Sequence, residues 1–436
     1  MMSQFTILPT QTPLRGSLSV PGDKSITHRA LIFGALAQGQ TRIGGYSRGE
    51  DCLHTLNAIR ALGADVQETP EGLEVTGKGL WGLQEPSNVL DCGNSGTGLR
   101  LLAGVLAGQH FFSVLTGDAS LRSRPMGRVV TPLRQMGAVI SGRGGGELAP
   151  LAIQGTGLKG ILYESPVASA QIKSCVLLAG LFAEGTTIVK EPRRSRDHTE
   201  RLLSYFGVPL QVDGCTVQLQ GRPSFDGKPI EVPGDISAAA FFMVAASIVP
   251  DSDILLTDIG LNPERTGILD ILLEMGADIT IVNQREISGE PVGDIRVRSA
   301  PLRGTVIGPE LIPKTIDELP ILCVAAALAH GQTRITGAQE LRVKETDRIR
   351  AMATELSRLH VEVEEQPDGL VINGGSQIKG AVCQSYGDHR VVMSLAICGL
   401  VAESPITIED VACVETSFPG FKGKLLDLLT NSERLL

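Results

Sequence analysis

The chain has 436 residues, of which 42% are hydrophobic, 20% charged and only 4% aromatic. That length exceeds one ordinary core and predicts two large domains. A net charge of −9 and scarce aromatic side chains argue against a general nucleic-acid or membrane-surface binder.

The eight cysteines, at 52, 92, 175, 215, 323, 383, 398 and 413, form no C-x-x-C pair and several sit in apolar runs. They read as reduced, mostly structural thiols of a cytoplasmic protein. The opening MMSQFTILPT lacks a basic region followed by an apolar run, so no signal peptide is expected. The longest apolar stretch, Ala238 to Val249, is too short to span a bilayer.

Two kinds of segment alternate along the chain. The first is a helical run, a small turn and a strand-like run, as in HRALIFGALAQGQTRI from His28. It recurs from Gly98, Lys173, Ala238, Leu319 and His389, at a spacing of roughly 70 residues. The second is an amphipathic helix ending at Gly in most copies, then a hairpin-like pair of strands. Its copies begin at Leu56, Leu133, Arg201, Ile268 and Arg350, and Gly supplies the C-cap. Leu73-Glu74-Val75 and Leu370-Val371-Ile372 predict half-buried strands.

Six copies predict six βαβαββ-like units. The phrase Val-Pro-Gly-Asp-x-Ser occurs at Val20–Ser25 and again at Val232–Ser237, close to half the chain apart. Each half is therefore expected to hold three units, with the Pro-Gly turns as crossovers between domains. The expected domains are 22–233, and 1–21 plus 234–436, joined by two short strands as at a hinge.

Candidate chemistry follows the same repeat. Lys24 and Ser25 open a helix that carries Arg29 one turn later, a good anion site. The glycine pattern of a Walker A loop is absent, which disfavours an NTPase. Gly93-Asn94-Ser95-Gly96-Thr97-Gly98 leads into a helix with Arg100 in its first turn, and its glycines allow close backbone approach to a ligand. Arg122, Arg124 and Arg128 crowd the next turn, and Ser169, Gln171 and Lys173 precede another apolar helix. Arg193, Arg194 and Arg196 stand ahead of a helix.

In LRVKETDRIR, Lys344 and Arg348 are four apart, which predicts one shared helical face with Glu345 beside them. Asp317-Glu318 and Asp388-His389-Arg390 open the last two apolar helices. Each segment alone is equally compatible with a capped helix or a solvated charge run. Together they lie at the N-termini of the first helix in successive units. In three-fold domains those ends would converge on one face, and two such faces would meet across a cleft. Helix dipoles and roughly eight cations would then point at anionic substrates.

The motifs PGDKSITHRA, GNSGTGLRLL, GDASLRSRPMGR, ASAQIKS, RDHTE, IDELPIL, ELRVKETDR and GDHR, in this order between residues 21 and 390, resemble the enolpyruvyl transferase family. The resemblance is to its branch that acts on shikimate 3-phosphate, and it covers nearly the whole chain. It implies an α/β (α+β) fold of the inside-out α/β barrel type: two domains, each of three βαβαββ units, closing around the substrates. It also implies transfer of the enolpyruvyl group of phosphoenolpyruvate to the 5-hydroxyl of shikimate 3-phosphate with release of phosphate. No metal or organic cofactor, nucleic acid or membrane is expected, and the chain is expected to be a monomer.

By this resemblance Lys24, Ser25, Arg29, Ser169, Gln171, Arg196 and Lys344 hold shikimate 3-phosphate, with the backbone of Ala170 contributing. Lys24, Gly96, Arg124, Arg348 and Arg390 surround phosphoenolpyruvate. Asp317 accepts the 5-hydroxyl proton and Glu345 delivers a proton to the methylene carbon. Three positions depart from the family's common pattern: Ala170 replaces a Ser, Leu101 a Pro and Thr416 a Lys. They resemble a second bacterial subgroup that includes glyphosate-tolerant enzymes. Gly96, however, stands where the tolerant type has Ala, which implies greater sensitivity to that inhibitor. The rival branch, acting on UDP-N-acetylglucosamine, usually has Lys-Asn where Lys24-Ser25 stand and a Cys in the loop occupied by Ser120–Arg128. Neither feature is present.

Overall fold

The computed structural model describes residues 3–430. They form two compact units. An inserted unit comprises Gly22–Pro233 with Glu286–Glu290, and a discontinuous unit runs to Pro21, resumes over Gly234–Arg285 and continues from Pro291. The chain thus leaves and re-enters the discontinuous unit at the two Pro-Gly turns. The tip of one discontinuous-unit hairpin, residues 286–290, clusters with the inserted unit.

Each repeat builds one sheet. In the inserted unit, Leu90–Asp91 runs parallel to Phe112–Thr116, with the helix Gly96–Ala107 between them. The helix Gly127–Gln135 follows, and the hairpin Val139–Arg143 and Leu148–Gln154 then pairs antiparallel with Phe112–Thr116. The same order recurs from Leu162 to Gln220. The remaining sheet of this unit, Gln38–Gly44 with Asp65–Thr69 and Gly72–Lys78, is completed by Ile230–Glu231 from the far end of the segment.

In the discontinuous unit, Arg15–Leu18 completes the sheet of Asp253–Gly260, Asp278–Ile287 and Glu290–Arg298. A second sheet is formed by Val306–Ile307, Gln332–Ile335, Glu362–Gln366 and Gly369–Asn373. The last sheet is abbreviated. Val382–Gln384 and Ile406–Glu409 are parallel, but no hairpin follows among the described residues. The strand Gln4–Ile7 instead pairs antiparallel with Ile406–Glu409. Among the described residues five sheets are therefore four-stranded and the sixth has three strands, its antiparallel edge coming from the start of the chain.

The first helix of each repeat is buried on all sides. Ile236–Ile248 (ISAAAFFMVAASI) has 12 buried residues, and Lys24–Leu36 has 11. Apolar residues around the whole circumference leave no face for solvent, so these helices belong in the core. Small side chains let them pack closely, which is where the abundant Gly and Ala are used. The second helices are amphipathic and end as predicted: Gly63, Gly137, Gly207 and Gly276 have positive φ, and His360 (φ 67°) takes that place in the fifth copy. Gly72–Lys78 alternates, whereas Gly369–Asn373 is buried over its first four residues. Leu370-Val371-Ile372 is thus covered on both faces rather than half-buried.

No helix among the described residues is long and apolar enough to cross a membrane. All eight cysteines are free thiols, six of them buried. Burial pushes the thiols of Cys175, Cys323 and Cys398 up to about 12, so they are poor nucleophiles.

Candidate active site

In the inserted unit the first turns of all three buried helices meet. Asp23 caps the Lys24–Leu36 helix, accepting the Ile26 N–H at 2.9 Å. Lys24 at its first position donates to Asp51 Oδ2 at 2.9 Å, with 19% and 8% of the two side chains exposed. Ser95 caps the Gly96–Ala107 helix through the Gly98 N–H, 3.0 Å away. His28 ties these two starts together. Its Nδ1 lies 2.8 Å from Thr55 Oγ1 and its Nε2 3.3 Å from Ser95 Oγ. Burial, then the charges of Lys24 and Arg29, hold this imidazole well below its ordinary pKa, so it is neutral.

The third start is Ser169, whose hydroxyl caps Ala170–Gly180. Gln171 in that first turn donates to Thr97 Oγ1 at 2.9 Å and accepts from Arg100. Arg29 reaches the same helix, donating to Ser174 Oγ at 2.7 Å, to Thr199 Oγ1 at 2.7 Å and to Ser25 O at 2.8 Å. Burial lowers its pKa to about 10, and the nearby Arg196 charge adds to the effect. Three of its N–H groups are therefore engaged by the protein itself.

Arg124 is buried beside the glycine loop and donates to Asn94 Oδ1 at 2.6 Å and Ser120 Oγ at 3.1 Å. A methyl placed on Gly96 would stand 3.1 Å from Arg100 Nη1 and 3.3 Å from Arg124 Nη1. Glycine therefore lets two guanidinium groups close over a helix N-terminus, a strongly positive place. Lys173, by contrast, is a structural cation. It is buried between Glu191 (3.0 Å) and Glu200 (2.7 Å) and also donates to Ser195 O.

The discontinuous unit repeats the arrangement with carboxylates added. Asp388 caps His389–Gly399 through the Arg390 N–H at 2.9 Å and receives Arg348 Nε at 2.7 Å. Arg348 also donates to Glu345 Oε2 at 2.6 Å, and its Nη1 lies 3.8 Å from Asp317 Oδ1. Burial opposes the Arg348 charge, but Asp388, Glu345 and Asp317 outweigh it and raise its pKa above the ordinary value. Arg390 donates to the Asp317 backbone oxygen at 2.8 Å. Asp317 and Glu345 each keep 17% of the side chain exposed.

One expectation is corrected here. Lys344 and Arg348 do not share a helical face: Gln339–Val343 is a 3₁₀ turn, Lys344 is extended, and the helix begins at Arg348. Asp347 sets that start by accepting the Arg350 N–H at 3.1 Å. An Asp that can cap competes with continued helix, and here it wins. Lys344 is half-buried.

Of the remaining predicted residues, Ser25, Ser169, Ala170 and Gln171 stand at the starts of those helices, Arg196 precedes the helix His198–Tyr205, and all five are half-buried. The sequence reading missed Asp51, His28, Thr55, Ser174 and Thr199, whose partners lie 27 to 170 positions away. Asp51 carried a weak signal, since it opens the second helix of its repeat directly after Gly49-Glu50. No group of three or more His, Cys, Asp or Glu side chains among the described residues is placed to hold a metal ion.

Comparison with known proteins supplies the family. The family described as EPSP synthase (3-phosphoshikimate 1-carboxyvinyltransferase) matches residues 8–425. A 3-phosphoshikimate 1-carboxyvinyltransferase of Citrifermentans bemidjiense is 55% identical over 420 residues, covering 96% of this chain and 98% of that protein. One from a Synechococcus species (strain JA-3-3Ab) is 58% identical over 424 residues, covering 96% and 95%. A solved EPSP synthase structure from Acinetobacter baumannii superposes with a TM-score of 0.88 at 46% identity, covering 98% of each chain. The chain belongs to the EPSP synthase (3-phosphoshikimate 1-carboxyvinyltransferase) family.

Proposed function

We propose a division of labour among these residues for the family's reaction. The enzyme transfers the enolpyruvyl group of phosphoenolpyruvate to the 5-hydroxyl of shikimate 3-phosphate and releases phosphate. In the inserted unit, Lys24, Ser25, Arg29, Ser169, Gln171 and Arg196, with the Ala170 backbone, recognise shikimate 3-phosphate. Lys24, Gly96 and Arg124 recognise phosphoenolpyruvate. In the discontinuous unit, Lys344 recognises the sugar phosphate, and Arg348 and Arg390 the phosphoenolpyruvate.

The observation that carries this reading is Arg348 flanked by two carboxylates, Glu345 at 2.6 Å and Asp317 at 3.8 Å. Addition of an alcohol to the enol double bond of phosphoenolpyruvate needs a base at oxygen and an acid at carbon. Asp317 takes the 5-hydroxyl proton as the C–O bond forms, and Glu345 protonates the methylene carbon. Glu345 then takes back a methyl proton as the C–O bond to phosphate breaks, the phosphate leaves with the proton held by Asp317, and the enol ether of the product forms. Arginines suit both the carboxylate and the phosphate of the donor, because their planar forks bind either group bidentately. The free, mostly buried thiols suit a cytoplasmic enzyme, which we propose to be monomeric.

Phosphate release from phosphoenolpyruvate is measured with shikimate 3-phosphate, and with UDP-N-acetylglucosamine as control. Release that needs shikimate 3-phosphate and falls by about 10²-fold or more in Asp317→Asn and Glu345→Gln supports the assignment. Wild-type rates in either variant refute its role, and release only with the UDP-sugar refutes the substrate.

A further inference from the structure

The start of the Ile236–Ile248 helix holds a chain of buried polar groups for which the reaction as described has no use. Arg265 Nη2 donates to Ser237 Oγ at 2.6 Å and to Asp235 Oδ1 at 3.0 Å. Ser237 in turn donates its proton to Glu318, the residue after Asp317. Arg265, Ser237 and Glu318 are 2%, 2% and 0% exposed. Glu318 is also the residue before the Leu319–Leu328 helix, and the Leu322 N–H bonds to its backbone oxygen at 3.0 Å.

The peptide that carries Asp317 is consequently gripped at two points. Arg390 holds the Asp317 oxygen at 2.8 Å, and the Arg265–Ser237 pair holds the next side chain. The inserted unit staples the equivalent helix start to the first turn of its next helix by Lys24 and Asp51. Here the cation comes from the loop instead, and the acid it serves through Ser237 lies beside the proposed base. A buried carboxylate without such partners would be too costly to retain, so its placement was built around them.

We propose that Arg265, acting through Ser237 and Glu318, is a positioning residue that fixes Asp317 for proton abstraction; this rests on Asp317 being the base. A carboxylate displaced by a fraction of an ångström loses rate in the chemical step while substrate affinity is retained.

The test compares Ser237→Ala, Arg265→Met, Arg265→Lys and Asp317→Asn by steady-state phosphate release, with folded enzyme counted by active-site titration. Ser237→Ala and Arg265→Met are expected to lower kcat about 10-fold or more while both KM values stay within about 2-fold. Arg265→Lys, which still donates to Ser237, is expected to recover most of the rate. Unchanged kcat per folded enzyme in Ser237→Ala, whatever the change in thermal midpoint, overturns the proposal and leaves the chain merely structural. A matching rise in KM also overturns it. If Asp317→Asn is fully active, the assignment of the base fails first; if it is inactive while Ser237→Ala is normal, the positioning role alone fails.

Discussion

Arg348 and Asp388 form an ion pair in which only 1% and 0% of the two side chains are exposed, with Nε 2.7 Å from Oδ2. The same carboxylate caps the start of the His389–Gly399 helix, so one group neutralises a cation and starts a helix. Arg348 in turn gathers Glu345 and Asp317. Removing the guanidinium would take the charged partner from a buried Asp388 and one contact from each of the other two carboxylates. Arg348→Ala is expected to destabilise the discontinuous unit by about 3–5 kcal/mol and to abolish activity. Urea unfolding followed with a probe in that unit checks the first effect. A midpoint equal to wild type would contradict it.

Asp51 acts on Lys24 at 2.9 Å from a position of 8% exposure. Asp51→Asn leaves the Lys24 charge in place but removes the opposite charge 2.9 Å from it. We expect kcat/KM to fall about 10-fold, equivalent to about 1.4 kcal/mol, with the fold retained. Isothermal titration with shikimate 3-phosphate separates a binding loss from a catalytic one.

Gly96→Ala is a test of crowding rather than of backbone strain. The added methyl meets Arg100 and Arg124 at 3.1 and 3.3 Å, and both guanidinium groups must yield by a few tenths of an ångström. KM for phosphoenolpyruvate is expected to rise several-fold while thermal stability stays near wild type. An unchanged KM would show that Arg124 does not contact that substrate.

His28 gives a pH dependence with a definite sign. Its folded pKa is well below the ordinary 6.5 because burial disfavours the imidazolium. The unfolded chain binds a proton there that the folded chain does not, so the contribution to stability is complete above about pH 6.5 and declines as the pH falls from there. His28→Asn removes the titration and keeps a hydrogen-bonding side chain. The unfolding free energy of this variant is expected to vary less between pH 6.5 and 5 than that of wild type, at most by about 1.4 kcal/mol per pH unit. Parallel curves for the two proteins would refute it.

Much of this site was legible in the chain. The Pro-Gly-Asp phrases, the glycine loop and the Asp-His-Arg triplet announce helix starts, and in the structure each is one: Asp23, Ser95 and Asp388 all cap. Local chemistry suffices there, because a cap is satisfied within three residues. The helix assigned through Lys344 failed for the same kind of reason, since two local devices compete and Asp347 terminates the extension.

Repeats, helix periodicity and the polarity of the helix starts were thus determined by the sequence itself, and so was the family. Partner choice was decided only by tertiary structure: Lys24 with Asp51, Arg29 with Ser174 and Thr199, and Ser237 with Glu318. Periodicity says which face of a helix is buried but not which residue, some 27 to 170 positions away, is brought against it. A hydrogen bond is made within about 3 Å, and that alignment exists only once three helices have packed with their first turns together.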